Sequence, residues 1–122
     1  MLGVVRDDEA LGRLLAAERA DAAEQVATLT RDLDRMIESS AGTNADDEHD
    51  PEGATLAFER AQLAALLAAS QRRLADLDQA ILRHTDGTYG RCETCRQPIP
   101  ADRLAARPAA ATCLGCAATR GR

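Results

Sequence analysis

Residues 92–95 read Cys-Glu-Thr-Cys and residues 113–116 read Cys-Leu-Gly-Cys, and these two stretches decide how the end of the chain folds. Two Cys-x2-Cys pairs with seventeen residues between them have the spacing of a four-thiolate zinc site. The chain has 4 cysteines, so this ligand set leaves none over. A closed shell has no position for water or substrate, which predicts one structural Zn2+ per chain. The predicted ligands are Cys92, Cys95, Cys113 and Cys116.

Other uses of these cysteines are weaker interpretations. Disulfides suit secreted chains, but residues 1–8 contain no apolar run that resembles an export signal. A redox Cys-x-x-Cys pair typically occurs once, beside a βαβ unit. Reduced thiols without an export signal instead predict a cytoplasmic protein.

The composition favours helices over a large globular core. Of 122 residues, only Phe58 and Tyr89 are aromatic, and the apolar residues are mostly Ala and Leu. No apolar run approaches the length of about eighteen residues that indicates a membrane span. The net charge of −5 argues against sequence-specific contact with duplex DNA, because phosphate binding needs a basic surface.

Heptad spacing predicts a first long helix from Asp8 to Ser39, with Asp7 or Asp8 as its cap. Its two seam rows are Gly12, Arg19, Val26 and Leu33, and Leu15, Ala22, Leu29 and Met36. Gly12 and Arg19 interrupt the apolar seam, and Leu11 and Leu14 are predicted to supply the apolar surface there.

A second helix is predicted from Ala54 to His84, with Gly87 just beyond its end. Its seam rows are Leu56, Leu63, Ser70 and Leu77, and Arg60, Leu67, Leu74 and Ile81. About thirty residues make a helix of roughly 45 Å, and neither helix can bury its stripe alone. The two are therefore predicted to pack as an antiparallel coiled-coil hairpin. Short helices are predicted at 101–106 and 113–119.

The predicted architecture is mainly α. It consists of an N-terminal tail at 1–7, the hairpin at 8–86 and a four-Cys zinc finger at 87–122. The hairpin's connecting loop, about 40–53, is acidic, and its carboxylates either favour the start of the second helix or form a functional tip. The candidate tip residues are Asp46, Asp47, Asp50 and Glu52.

Residues between the cysteines carry a family resemblance. The pair Tyr89-Gly90 precedes the first cysteine, Ile99 follows the first knuckle, and Arg103-Leu104 and Ala106-Arg107-Pro108 come before the second. With the four cysteines, this segment resembles the zinc finger of the DksA/TraR family. The predicted hairpin resembles that family in architecture.

The resemblance implies a transcription regulator that binds bacterial RNA polymerase directly and does not read DNA. In that family the coiled coil enters the secondary channel and acidic tip residues alter open-complex stability, while the finger docks outside. Arg107 and Arg91 are the implied docking or alarmone contacts.

Two departures from the family pattern bear on function. The family tip often reads Asp-x-x-Asp-x-Ala. Here Asp47 and Asp50 keep that spacing, but Glu52 replaces the Ala. Counting residues back from Cys92 without gaps aligns the family's tip motif with different residues. The family also binds guanosine tetraphosphate through basic residues, and two of those positions are Asp76 and Ala117 here. Losing two cations predicts a weak alarmone response.

Two other functions remain open on the sequence alone. The coiled coil could be an adaptor for another protein, with zinc clamping its base. The locally basic finger could instead bind nucleic acid as a zinc ribbon.

An enzyme is not predicted, because His49 and His84 lie at opposite ends of the second helix and no nucleophile–base pair is present. The tip carboxylates could hold a magnesium ion, since hard cations take oxygen ligands.

Overall fold

The computed structural model describes the backbone of residues 2–41 and 51–120 and the side chains of residues 8–39 and 52–119. Four helices occur in these ranges. They are α1 (Leu2–Ala41), α2 (Pro51–Asp86), α3 (Ala101–Ala106) and α4 (Leu114–Arg120). Extended pairing in the described ranges is limited to an antiparallel bridge between Arg91 and Pro98. The mainly α prediction is confirmed.

Both long helices begin earlier than the sequence predicted. α1 starts at Leu2, so Asp8 lies inside the helix and does not cap it. No proline precedes Asp8, and extending a helix costs far less than starting one. α2 starts at Pro51, where the fixed φ of proline suits the first helical position. Glu52 therefore lies in its first turn, near the positive end of the helix dipole.

The two long helices run antiparallel, as their cross-contacts show. Arg19 pairs with Asp78, and Glu18 pairs with Arg73. Asp8, earlier in α1, meets His84, later in α2. The contacts divide the chain into two compact units, Met1–Ala20 with Arg73–Arg122, and Asp21–Arg72. No helix in the described ranges is long and apolar enough to cross a membrane.

Burial follows the predicted seam. In the first unit Leu15 and Leu77 are buried, together with Ala80, which lies beside the seam. In the second unit Ala22 and Ser70 are buried. The remaining apolar seam positions are partly buried, except Leu56, which is exposed. Alanine and serine at the buried positions of the second unit allow close approach of the two helices.

Both interruptions of the α1 seam have partners on α2. At Gly12 the missing side chain leaves room for the His84 ring, because a Cβ there would lie 3.0 Å from its Cε1. Nε2 of His84 lies 2.9 Å from the carbonyl oxygen of Asp8 and 3.0 Å from Oδ1 of the same residue. His84, in the last turn of α2, thus faces α1. Of the two leucines predicted to supply the apolar surface here, Leu11 is partly buried, whereas Leu14 is 44% exposed.

Substituting Gly12 by alanine tests this packing. Alanine is normally better than glycine in a helix by about 1 kcal/mol. We expect the stability gain in the Gly12→Ala protein to fall short of that value by at least about 1 kcal/mol, because the new Cβ meets the His84 ring. In a His84→Ala background the full gain should return. Urea unfolding of the natural protein, the two single variants and the double variant gives the coupling free energy between residues 12 and 84. Additive effects would show that the ring does not restrict residue 12.

Candidate metal centre

The end of α2 turns the chain into the metal centre. Gly87 follows the helix with a φ of +84°, a left-handed conformation that glycine adopts at little cost. The N–H groups of Thr88 and Tyr89 both donate to the Arg83 carbonyl oxygen, at 2.9 and 3.1 Å. Asp86 Oδ1 accepts from both the N–H and the hydroxyl of Thr88. Gly87 therefore ends the helix in the role predicted from the sequence.

The first knuckle is a tight turn around Cys92 and Cys95. The Arg96 N–H donates to the Cys92 carbonyl oxygen at 2.9 Å, and the Cys92 N–H donates to Gln97 at 2.8 Å. Arg96 has a φ of +67°, which is unusual for a residue with a side chain. The Ile99 N–H then donates to Gly90 at 2.7 Å. These bonds close a small loop that presents both cysteines of the pair to one side.

The second knuckle is the start of α4. Cys113 immediately precedes this helix, and the Ala117 N–H donates to the Cys113 carbonyl oxygen at 2.9 Å. Cys116 therefore lies one turn along, on the same side as Cys113. The Glu93 N–H donates to the Ala111 carbonyl oxygen at 2.9 Å, which joins the two knuckle segments directly.

The four sulfur atoms converge. All of them lie within 4.8 Å of one another, and Cys95 Sγ is 3.8 Å from Cys113 Sγ. Four sulfurs at about 2.3 Å from a tetrahedral zinc ion stand about 3.8 Å apart. The donor set and its spacing therefore fit a single Zn2+ and supply a full thiolate shell. Such an ion would cross-link the two knuckles.

Backbone groups already favour thiolate at part of this site. The N–H groups of Cys95 and then of Cys113 lower the pKa of Cys92 from its usual value to about 6. The N–H of Cys116 is the main cause of a lowered pKa at Cys113. Cys116 has a pKa raised to about 12, chiefly because its thiol hydrogen-bonds to Cys113. Metal binding must therefore displace a proton from Cys116 at neutral pH.

Acidification should weaken metal binding. The Cys92 thiolate is available above its pKa of about 6 and is lost as the pH falls through that value. We expect the logarithm of zinc affinity to fall by at least about one per pH unit above pH 6, and by at least about two below it. Competition with a chromophoric chelator at several pH values measures this slope. An affinity that stays constant between pH 7.5 and 5 would contradict thiolate ligation.

Side chains outside the metal shell hold the loop between the knuckles. The Tyr89 hydroxyl donates to the Pro108 carbonyl oxygen at 2.7 Å, and Arg83 donates to Ala109 at 3.3 Å. Arg103 Nε donates to the Thr112 carbonyl oxygen at 2.9 Å. Sequence reasoning did not foresee these roles, because the accepting groups are backbone carbonyls, which leave no sequence signal. Burial raises the pKa of Tyr89, so the phenol keeps its donor proton.

The other predicted site residues are dispersed. Arg107 is exposed and lines an open groove of about 400 Å³ with Pro100, Asp102, Arg103, Ala106 and Leu114. Arg91 is exposed and donates to the Arg96 carbonyl oxygen at 3.4 Å. Glu52 is an exposed residue of α2. The candidate tip residues Asp46, Asp47 and Asp50 lie outside the described residues.

Comparisons with known proteins agree with this geometry. Residues 87–120 match a model of the prokaryotic dksA/traR C4-type zinc finger. Among solved structures, transcription factor DksA2 from Pseudomonas aeruginosa is similar, with a TM-score of 0.72 and 21% identity over 93% of this chain and 82% of that chain. No curated protein matches the sequence. Residues 87–120 are therefore a zinc finger of the prokaryotic dksA/traR C4 type, carried by a chain with the DksA2 fold.

Proposed function

We propose that this protein is a transcription regulator, not an enzyme, that binds bacterial RNA polymerase directly in the cytoplasm. Its hairpin enters the secondary channel, and the acidic connection between α1 and α2 reaches towards the active centre. The finger and the adjoining part of the hairpin dock at the channel entrance.

One observation carries this proposal. A dksA/traR-type finger is attached to an antiparallel helical hairpin, and the combined chain resembles a solved transcription factor over 93% of its length. The closed four-thiolate centre supports a structural use of zinc, since it leaves no coordination position for chemistry. The net charge of −5 disfavours duplex DNA as the principal partner.

Footprinting tests where the protein binds. Core polymerase should retain the zinc-loaded chain, and hydroxyl-radical cleavage of polymerase should be reduced at the rim of the secondary channel. A chain that binds polymerase but protects another surface would refute the channel proposal. A chain that does not bind polymerase would favour the adaptor function. Retention on DNA alone, lost at high salt, would favour a nucleic-acid ribbon.

We infer that guanosine tetraphosphate has little effect on this regulator. Arg107 offers one exposed cation. Asp76 is exposed and Ala117 is partly buried, and neither supplies the positive charge that a polyanion needs. The carboxylate of Asp76 also repels phosphate.

Restoring the cations should restore a response. We expect guanosine tetraphosphate to change promoter inhibition by the natural chain less than about twofold, and several-fold after Asp76→Lys with Ala117→Lys. The matched control, Asp34→Lys with Ala27→Lys, adds the same charge on exposed positions of α1 and should not respond. In vitro transcription with and without the alarmone measures the difference. A several-fold response of the natural chain would show that other arginines bind it.

A further inference from the structure

The His84 ring in α2 contacts two other parts of the chain. Its side chain is 19% exposed. Its Nε2 is 2.9 Å from the carbonyl oxygen of Asp8 and 3.0 Å from Oδ1 of the same residue, and both oxygens are acceptors for the Nε2 proton. The same ring meets Tyr89 edge to face, with the ring centroids 6.5 Å apart and the planes at 84°, a geometry that aromatic pairs prefer. One ring therefore touches both α1 and the segment that enters the metal centre.

Tyr89 continues this contact into the finger. Its hydroxyl donates to the Pro108 carbonyl oxygen at 2.7 Å. The main chain of Tyr89 is held separately, because its N–H donates to the Arg83 carbonyl oxygen at the end of α2. A tyrosine side chain has two torsions, and an anchored hydroxyl restricts both of them. The orientation in which the ring meets His84 therefore depends on where Pro108 lies.

The position of Pro108 depends in turn on the metal centre. Pro108 belongs to the loop between the two cysteine pairs, five positions before Cys113. The backbone bond from the Glu93 N–H to the Ala111 carbonyl oxygen, at 2.9 Å, joins this loop to the first knuckle. A zinc ion shared by the four cysteines would fix the same two segments, with a binding energy far larger than that of one hydrogen bond. Loss of the ion therefore frees the acceptor that holds the Tyr89 hydroxyl in place.

The first described turns of α1 have little apolar burial of their own. Side chains 8–10 are exposed, and in the described part of α1 burial is complete for the first time at Leu15. The Asp8 carbonyl oxygen is the helical acceptor for the Gly12 N–H, and His84 lies within hydrogen-bond distance of the same oxygen. Helix ends open at low cost in free energy. A side-chain contact from the partner helix therefore has a large influence on these turns.

We propose that His84 and Tyr89 couple the metal centre to the first turns of α1, so that zinc binding orders residues 9–13 and those turns in return strengthen zinc binding. With zinc bound, Pro108 holds the Tyr89 ring against His84, and His84 holds Asp8. Without zinc the Tyr89 ring turns away, and the contact of His84 with Asp8 opens more often. Such coupling is reciprocal, so each event favours the other by the same factor.

Hydrogen exchange of the full chain, with zinc and after chelation, tests the first half of this proposal. In the natural chain we expect zinc removal to lower amide protection at residues 9–13 about fivefold, and to leave amides beyond the buried Leu15 unchanged. Tyr89→Phe keeps both rings but loses the bond to the finger, and His84→Ala removes the contact with α1. In both variants the effect of zinc on residues 9–13 should fall below about twofold. Gln79→Ala, at an exposed position of the same helix, should respond as the natural chain does.

Zinc affinity, measured by competition with a chromophoric chelator, tests the second half. We expect His84→Ala to lower the affinity about fivefold, and Gln79→Ala to leave it unchanged. The Tyr89→Phe protein should also bind zinc more weakly. Adding His84→Ala to that protein should cause no further loss, because both changes break the same link. Circular dichroism checks that every variant is helical.

Three results would overturn the coupling. The first is protection at residues 9–13 that does not depend on zinc in the natural chain. The second is an equal dependence on zinc in the His84→Ala protein, which would show that the metal centre acts on α1 by another route. The third is a further loss of about fivefold in the double variant, which would show that the two rings act independently. Polymerase takes part in none of these measurements, so their outcome is independent of the function proposed above.

Discussion

Removal of zinc should unfold the finger while the hairpin remains helical. In the Cys113→Ser protein, we expect amide protection from Tyr89 onward to fall at least about 100-fold. Structural zinc contributes about 10–16 kcal/mol to the folding of small modules, and α3 and α4 have 6 and 7 residues, too few to be stable alone. The few buried side chains of this region, among them Cys92, Ile99 and Thr112, cannot replace that contribution.

The hairpin should persist because its packing does not depend on the finger. Leu15 and Leu77 are buried between α1 and α2, and the ion pairs of Arg19 with Asp78 and Glu18 with Arg73 join the same helices. The contact of Arg83 with the Ala109 carbonyl oxygen should be lost, but it is one hydrogen bond to a loop. Far-ultraviolet circular dichroism should therefore change little.

Hydrogen exchange resolved by segment measures both parts of this result. A Thr94→Ser protein provides the control, since it makes a comparable change at an exposed residue between two ligands. It should retain both zinc and protection. If chelation left the finger protected, hydrogen bonds such as that from Glu93 to Ala111 would be sufficient to hold it. Loss of protection throughout α1 and α2 would show that finger and hairpin fold as one unit.

Much of the fold could be predicted because its determinants are periodic or local. The apolar members of the α1 seam from Leu15 to Met36 follow the heptad, and they are buried or partly buried. Gly87 ends α2 because a left-handed residue is needed there, and glycine signals it. Cysteine spacing predicted the four-sulfur cluster because a short turn fixes the position of each pair of ligands.

The rest depended on contacts that have no sequence period. Gly12 looked like a defect in the seam, yet its lack of a side chain makes room for His84. Arg19 looked equally misplaced, yet it pairs with Asp78 across 59 positions of the chain. The start of α1 was missed because an acidic residue after a non-helical segment and one inside a helix look alike in sequence. Roles of this kind become visible only when the partner helix is in place.

The remaining large effect concerns the acidic connection between the long helices. We propose that Asp47, Asp50 and Glu52 act on the polymerase active centre through their charge. Replacing them together by Asn, Asn and Gln should abolish the effect on open-complex lifetime. Amides keep the shape and much of the hydrogen bonding, so this change isolates the electrostatic contribution. Carboxylates near an active centre would act on cationic and metal-bound groups.

Binding to polymerase should survive the triple change, because docking is assigned to the finger and the adjoining helices. The matched control replaces Asp21, Asp34 and Glu24 by the same amides at exposed positions of α1, and it should retain full activity. Open-complex lifetime on a supercoiled promoter and affinity for core polymerase are measured for each protein. A control that also loses activity would show that total charge, and not position, is what matters.

The competing explanation assigns these carboxylates to the start of α2, where Glu52 lies in the first turn. Asparagine is about as good an N-cap as aspartate, so on that explanation the triple change costs less than about 1 kcal/mol. Both explanations therefore allow a folded protein that still binds polymerase, and they differ only in the open-complex lifetime. An unchanged lifetime would assign the carboxylates to helix initiation. A lost effect with intact binding and an active control would assign them to the active centre, because no difference in folding or docking would remain to account for it.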